Sequence, residues 1–302
     1  TGVSFQRADL EGATLGQAVG DLPNWIRLGL DDSGVFRRAT LLTAIGNGAR
    51  DLPGIFLNGA ELNDQDLTGL NVSDGALTDV DFSGCDLTNA RFEATVMPGV
   101  NFRGTTLLRA RFTGAQLGGS LFGCCADEGC PLPPQGACVP ANVAGVEFSG
   151  AEFAGGQRAT DLTTLDLSNV PFVGAIFGDT NVNNTTLRGA DFTNASLGTL
   201  DMRQASYCQA RFEGATVSQV QRNFDLRWVT DGQDDEGIYR QERLLERFRD
   251  GDLREIRCAL IEGGAMGNGA DFTAVTLWDE AKFVGVDFAG AVAPGDAPSA
   301  NF

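Results

Sequence analysis

The stretch LNGAELNDQDLTGLNVSDGALTDVDFSGCDLTNARF, residues 57–92, places an apolar residue at every fifth position. The series runs through Leu57, Leu62, Leu67, Val72, Leu77, Phe82, Leu87, Phe92, Met97, Phe102, Leu107, Phe112 and Leu117 to Phe122 without a slip of phase. Two residues before most of these stands a small side chain, as at Ala60, Gly75, Cys85, Ala90, Thr105, Ala110, Ala115 and Ser120. A period of five is neither the 3.6 of a helix nor the 2 of a flat strand. Each unit must therefore contain a corner, and the chain must wind into a solenoid.

Outward from this run, Phe5, Leu10 and Leu15 mark a first coil over residues 1–15, with Ala8 and Ala13 at the small positions. Residues 16–54 break phase. They carry Trp25, Ile26, Leu28, Leu30, Val35, Phe36, Leu41, Leu42 and Ile45, so the excursion is expected to fold back as a helix or a small hairpin and bury its apolar side. The main run occupies 55–122. Residues 123–142 have no period, are rich in Cys and Pro, and read as a loop extruded from one corner.

A second run, 143–218, starts at Val143, Phe148 and Phe153 in a phase shifted by one. An adjustment between Ala154 and Asp161 restores the first phase, which continues from Leu162 to Val217. Residues 219–264 read as a helical insertion. Its first helix is expected in Gly237–Arg249, with Leu244, Leu245 and Phe248 on one face. Its second is expected after Gly251, with Asp252 and Glu255 as a capping box and Ile256, Ala259 and Leu260 as the apolar side. Phe272, Leu277, Phe283 and Phe288 suggest a last coil over 265–292, followed by a loose tail, 293–302. All 302 residues are accommodated as one elongated repeat domain.

The composition narrows function by subtraction. A formal net charge of -18 and a pI of about 4.3 argue against general affinity for nucleic acid or anionic membrane, whose phosphates need Lys and Arg. No apolar run approaches the eighteen or so residues of a membrane span. Histidine, the commonest general base and metal ligand, is absent. Serines stand at outward positions without a base, and Gly263-Gly264-Ala265-Met266-Gly267 lacks the strand–loop–helix setting of a phosphate cradle. The expectation is a protein that is not an enzyme and takes no cofactor.

Two clusters remain. Asp231, Asp234, Asp235 and Glu236 are calcium candidates by charge, but they miss the spacing of an EF-hand loop and also suit a helix start. Cys124, Cys125, Cys130 and Cys138 match no common zinc spacing. They are disulfide candidates, either Cys124 with Cys130 and Cys125 with Cys138 or the crossed alternative. Cys85, at an inward small position, reads as a buried thiol. Cys208 is expected outward, within reach of Cys258 on the second helix. Seven cysteines and a first residue, Thr1, that is not Met give the expectation of a processed, exported protein.

Tripeptides such as Ala8-Asp9-Leu10, Ala190-Asp191-Phe192 and Ala210-Arg211-Phe212 resemble the pentapeptide-repeat family, over roughly two thirds of the chain. The resemblance implies an all-β solenoid, a right-handed quadrilateral β-helix, here with an inserted α-helical hairpin and a cysteine-rich loop. The residue types agree: the central Leu or Phe points to the axis, the residue two earlier points inward at a corner where only a small side chain is expected, and outward positions vary freely.

On this reading the chain is a non-catalytic structural or protein-interaction scaffold of an oxidising compartment. That compartment is the cell envelope, the extracellular space or, by similarity to lumenal relatives, a thylakoid lumen. The expected partner is another protein, and exposed coil ends also allow a homo-oligomer or head-to-tail assembly. The alternative follows quinolone-resistance members of the family, which resemble DNA and bind DNA gyrase, and it implies a cytoplasmic location. For it, Asp81, Asp86, Asp166, Asp191 and Asp201 offer outward acids, while Arg91, Arg111 and Arg211 occupy the same kind of position.

Overall fold

A computed structural model describes residues 4–16, 21–124, 139–198, 200, 202, 204–217, 227–250, 256–262 and 281–286. The chain divides into two compact units, Thr1–Leu165 and Asp166–Phe302.

In the first unit, parallel bridges join Asp51 to Asn71, Phe56 to Ala76, Glu61 to Asp81 and Asp66 to Asp86, and continue to Asn101 with Leu121. Each residue meets the one 20 positions later, so four pentapeptides close one coil. The corner is a tight turn in which the residue after next from the central one takes a left-handed φ, as at Asp64 (57°), Asn89 (60°) and Gly84 (70°). That backbone is why Gly, Asn and Asp dominate the position. Ala60 N–H then donates to the Leu57 carbonyl at 2.9 Å, and the same bond recurs along the run.

Phase shifts are absorbed without ending the ladder. Between Thr106 and its partner Asn142 the spacing widens to 36, and between Leu121 and Asp161 to 40, so the chain leaves and rejoins the stack in register. In the second unit the spacing of 20 returns, from Asp166 with Thr186 to Ser196 with Thr216.

The axis is filled by the central residues. Phe102 stacks on Phe122 at 4.7 Å, Phe92 on Phe112 at 4.8 Å and, in the second unit, Phe192 on Phe212 at 5.3 Å. Neighbouring sides meet edge to face, as Phe102 does with Phe112, so each ring has both geometries that its quadrupole favours. The inward corner position is roomier than the small-residue pattern implies. Ile55, Leu70, Val80 and Val100 are all buried there, which corrects the expectation that only small side chains fit. Polar residues at this position are satisfied locally: Thr95, Thr105 and Ser120 donate to the carbonyls of Val72, Phe82 and Met97 one coil back.

Two of the departures from the repeat, one in each unit, contain helical pairs. In the first unit α1 (Asn24–Gly29) and α2 (Arg38–Gly46) pack together. Two-residue strands follow, β1 (Thr160–Asp161) in the first unit and β2 (Thr180–Asn181) in the second. The second unit then holds α3 (Arg227–Asp231) and α4 (Gln241–Arg249), with strands β3 (Leu260–Glu262) and β4 (Lys282–Val284) paired in parallel.

The second helix expected over Asp252–Leu260 is not formed where the chain is described. Ile256–Ala259 is a turn and Leu260 begins β3. Ile256 and Ile261 are central residues of two successive pentapeptides and Ala259 is the inward corner between them, all buried. Positions 256, 259 and 260 imitate the i, i+3, i+4 face of a helix, which is why the pattern misled. The helix that pairs with α4 precedes it instead.

Candidate interaction surfaces

The two helical pairs are copies of one unit. Trp25, Gly29, Asp31, Asp32, Gly34, Phe36 and Arg37 correspond to Trp228, Gly232, Asp234, Asp235, Gly237, Tyr239 and Arg240, a constant 203 residues on. The contacts of the turn between the helices agree bond for bond. Asp31 Oδ1 accepts from Ser33 and Val35 N–H while Arg37 Nε donates to Oδ2, and Asp234 repeats this with Glu236, Ile238 and Arg240. Phe36 N–H donates to Ala13 O and Tyr239 N–H to Ala215 O, each at 2.8 Å. Glu11 and Glu213, on the supporting coils, each accept the N–H that opens the following helix, from Arg38 and Gln241, where a carboxylate also suits the positive helix end. In both copies the tryptophan meets the aromatic ring edge-on, at 5.6 and 5.8 Å.

Sequence reasoning passed over Glu11, Glu213, Gly29 and Gly232. The signal was present in the shared W-x-x-x-G-x-D-D-x-G pattern. A Cβ on Gly29 meets the Phe36 ring at 2.2 Å and one on Gly232 meets Tyr239 at 2.4 Å, so the aromatic ring needs glycine beneath it.

This arrangement accounts for the acidic cluster. Asp234 uses one carboxylate oxygen on two backbone amides and the other on Arg240, with the amide of Ile238 the main cause of its lowered pKa. Asp231 lies at the end of α3, 3.6 Å from Arg227, while Asp235 and Glu236 are exposed. Among the described residues no three His, Cys, Asp or Glu side chains gather as metal ligands.

Cys208 and Cys258 are joined by a disulfide with Cα atoms 4.4 Å apart. Cys258 lies in the turn after Ile256, with φ 63°, not on a helix. Cys124 is disulfide-bonded too, while Cys125, Cys130 and Cys138 lie outside the described residues. Cys85 is a buried free thiol that donates to Leu62 O, and burial pushes its pKa up to about 11.

Outward side chains form ladders of mixed sign. Asp51, Asn71, Arg91, Arg111 and Glu147 stack in one ladder, where Arg91 and Arg111 both reach Glu93, at 3.3 and 3.4 Å. Asp66 and Asp86 share the next ladder with Thr106, and Asp81 bridges Glu61 and Asn101. In the second unit Asp191 bridges Arg211, which forks onto Glu262 through two 2.6 Å bonds. Asp166 pairs with Thr186, and Asp201 lies outside the described residues. A cavity of about 220 Å³ is lined by Arg211, Phe212, Trp228, Tyr239, Gln241 and Glu262.

Among the described residues no helix is long and apolar enough to cross a membrane. Similar solved structures include a trypsin-treated variant of QnrB1, a plasmid-mediated fluoroquinolone resistance protein, at 14% identity over 55% of this chain and 81% of that one, TM-score 0.39. HetL, a pentapeptide repeat protein of heterocyst differentiation regulation from the cyanobacterium Nostoc, is 18% identical over 85% and 92%, TM-score 0.25. Rfr23, from the cyanobacterium Cyanothece, is 15% identical over 56% and 99%, TM-score 0.29. The chain matches no curated protein sequence. The family model for pentapeptide repeats matches eight copies, over residues 51–84, 85–123 and 166–204. With their coils of four fives, left-handed corners and stacked central rings, those residues of the chain are pentapeptide repeats.

Proposed function

We propose that the protein is a non-catalytic scaffold that docks another protein on its β-helix faces and on the two helical pairs. One observation carries this: the helical unit occurs twice with its internal contacts intact, yet the residues it shares hold it to the coil and leave no group placed for chemistry. An insertion kept in two copies on a rigid support suits presentation of a surface.

The disulfides at Cys208–Cys258 and at Cys124 favour an oxidising compartment such as the cell envelope, the extracellular space or a lumen. Intact mass of natively expressed protein, alkylated with and without reduction and mapped by peptide, tests the compartment. Bonded Cys208 and Cys258 support it, and seven free thiols overturn it. Docking is tested by cross-linking in the native host: a discrete heterologous complex is expected, and an uncross-linked chain sinks the scaffold reading.

A second reading, a DNA-shaped competitor at DNA gyrase, draws on the net charge of -18. Arg91 and Arg111 in the midst of an outward ladder weigh against it. Unchanged gyrase supercoiling at micromolar protein ends that reading.

A further inference from the structure

Backbone accounting around one coil leaves a remainder. In a typical pentapeptide of the main run four carbonyls accept a backbone N–H. At the coil from Leu57, for example, the carbonyls of Leu57, Ala60, Asp81 and Ser83 take Ala60, Asp81, Leu62 and Asp64 N–H. The fifth, that of the left-handed corner residue, accepts none from Gly59 to Gly114 among the described residues. These carbonyls recur every 20 residues and so stack in columns along the corners, one coil or about 4.8 Å apart.

The chain fills parts of two such columns with its own arginines, in the same way. Arg7 donates from Nε to Asp74 O at 2.9 Å and from Nη2 to Ala94 O at 2.7 Å. Arg158 donates from Nε to Gly119 O at 2.8 Å and from Nη2 to Gly99 O at 3.1 Å. Each guanidinium forks across two successive coils, a match of planar donors to paired acceptors that an ammonium cannot make. The column of Asp64, Gly84 and Gly104 takes no hydrogen bond from any described residue. It runs between the ladder of Glu61 and Asp81 and that of Asp66 and Asp86, so its surroundings are acidic.

We propose that the corner column formed by the carbonyls of Asp64, Gly84 and Gly104 is a docking track for arginine side chains on an extended segment of a partner protein. This deepens the scaffold reading and rests on it. The segment's spacing follows from the coil. An arginine forked across Asp64 and Gly84 leaves Gly104, two coils or about 9.6 Å from Asp64, for a second one. A polyproline II segment returns to the same face every third residue, about 9.3 Å, so arginines in the pattern R-x-x-R fit the track.

The probe is the synthetic peptide (Arg-Pro-Pro)3, titrated by calorimetry against the full chain, with (Lys-Pro-Pro)3 carrying equal charge for comparison. The arginine peptide is expected to bind at least about tenfold more tightly. Asp64→Arg is expected to lay a side chain along the column and abolish binding. Arg7 and Arg109 already occupy such left-handed positions, so the backbone accepts arginine there. Asp64→Asn removes the charge while keeping a residue suited to that φ, and is expected to retain binding within a few fold. Equal affinity for the two peptides, or binding untouched by Asp64→Arg, overturns the track. If the track fails while the native cross-linked complex persists, the scaffold reading stands and only the docking chemistry falls.

Discussion

Tyr239 and Phe36 occupy the same place in the two copies of the helical unit and differ by one oxygen. The Tyr239 hydroxyl is buried and has no hydrogen-bond partner among the described residues, and burial raises its pKa. A buried donor without a partner costs about 1–3 kcal/mol, whereas an apolar replacement of the same shape is neutral or stabilising. Tyr239→Phe should therefore raise the melting temperature, with a gain on the order of 1 kcal/mol in chemical denaturation. Phe36→Tyr should lose a similar amount. A loss on Tyr239→Phe overturns this account and points to a partner for the hydroxyl in the adjoining cavity. Glycine explains why the ring, and not its oxygen, is fixed: neither Gly29 nor Gly232 leaves space for a Cβ beneath it.

At the scale of the element, the turn between the paired helices is held by a carboxylate, which makes it sensitive to acid. Asp31 and Asp234 have lowered pKa values, chiefly through the amides of Val35 and Ile238. A carboxyl with a depressed folded value stabilises in full above its unfolded value, about 3.9, and loses that contribution as pH falls through the folded value. The double variant Asp31→Ala with Asp234→Ala should melt lower at pH 7. Its deficit against the parent should then shrink below about pH 4. Asp66, Glu93 and Glu262 are lowered as well and remain in both proteins, so the difference between the two melting curves isolates the turns. A deficit independent of pH means the turns gain nothing from the charge.

The elements also mark what was legible. Fives from Leu57 to Phe122 dictated the coil because each central residue has one direction to point, and the left-handed Gly, Asp and Asn positions spell the corner. The helical unit was harder to read. Its first copy lies within 16–54, where the apolar residues satisfy helix and hairpin patterns alike. Its second was displaced by Ile256, Ala259 and Leu260, whose five-residue spacing overlaps a helical one. The duplication itself escaped because the coil residues Glu11 and Glu213 are 202 apart while Asp31 and Asp234 are 203 apart, so no single offset aligns the whole unit.

For the whole molecule the dominant electrostatic fact is 40 acidic residues against 22 basic ones, without a histidine to titrate near neutrality. Self-repulsion at a net charge of -18 opposes the folded state, and salt screens it, the Debye length falling from about 30 Å at 0.01 M to about 8 Å at 0.15 M. Salt also weakens the surface pairs, such as Arg91 with Glu93 and Arg243 with Glu246. Their arginines are exposed, and surface pairs contribute about 0–1 kcal/mol each. Repulsion among the excess acids should win, so the melting temperature should rise when NaCl goes from 0.01 to 0.15 M. A fall identifies the ion-pair ladders as the larger effect. The same salt step should weaken binding of (Arg-Pro-Pro)3, because the field that destabilises the free chain is the one that attracts the peptide. Opposite responses of stability and binding to one variable separate charge attraction from folding, since a peptide that merely followed the folded fraction would bind better as the protein grew more stable.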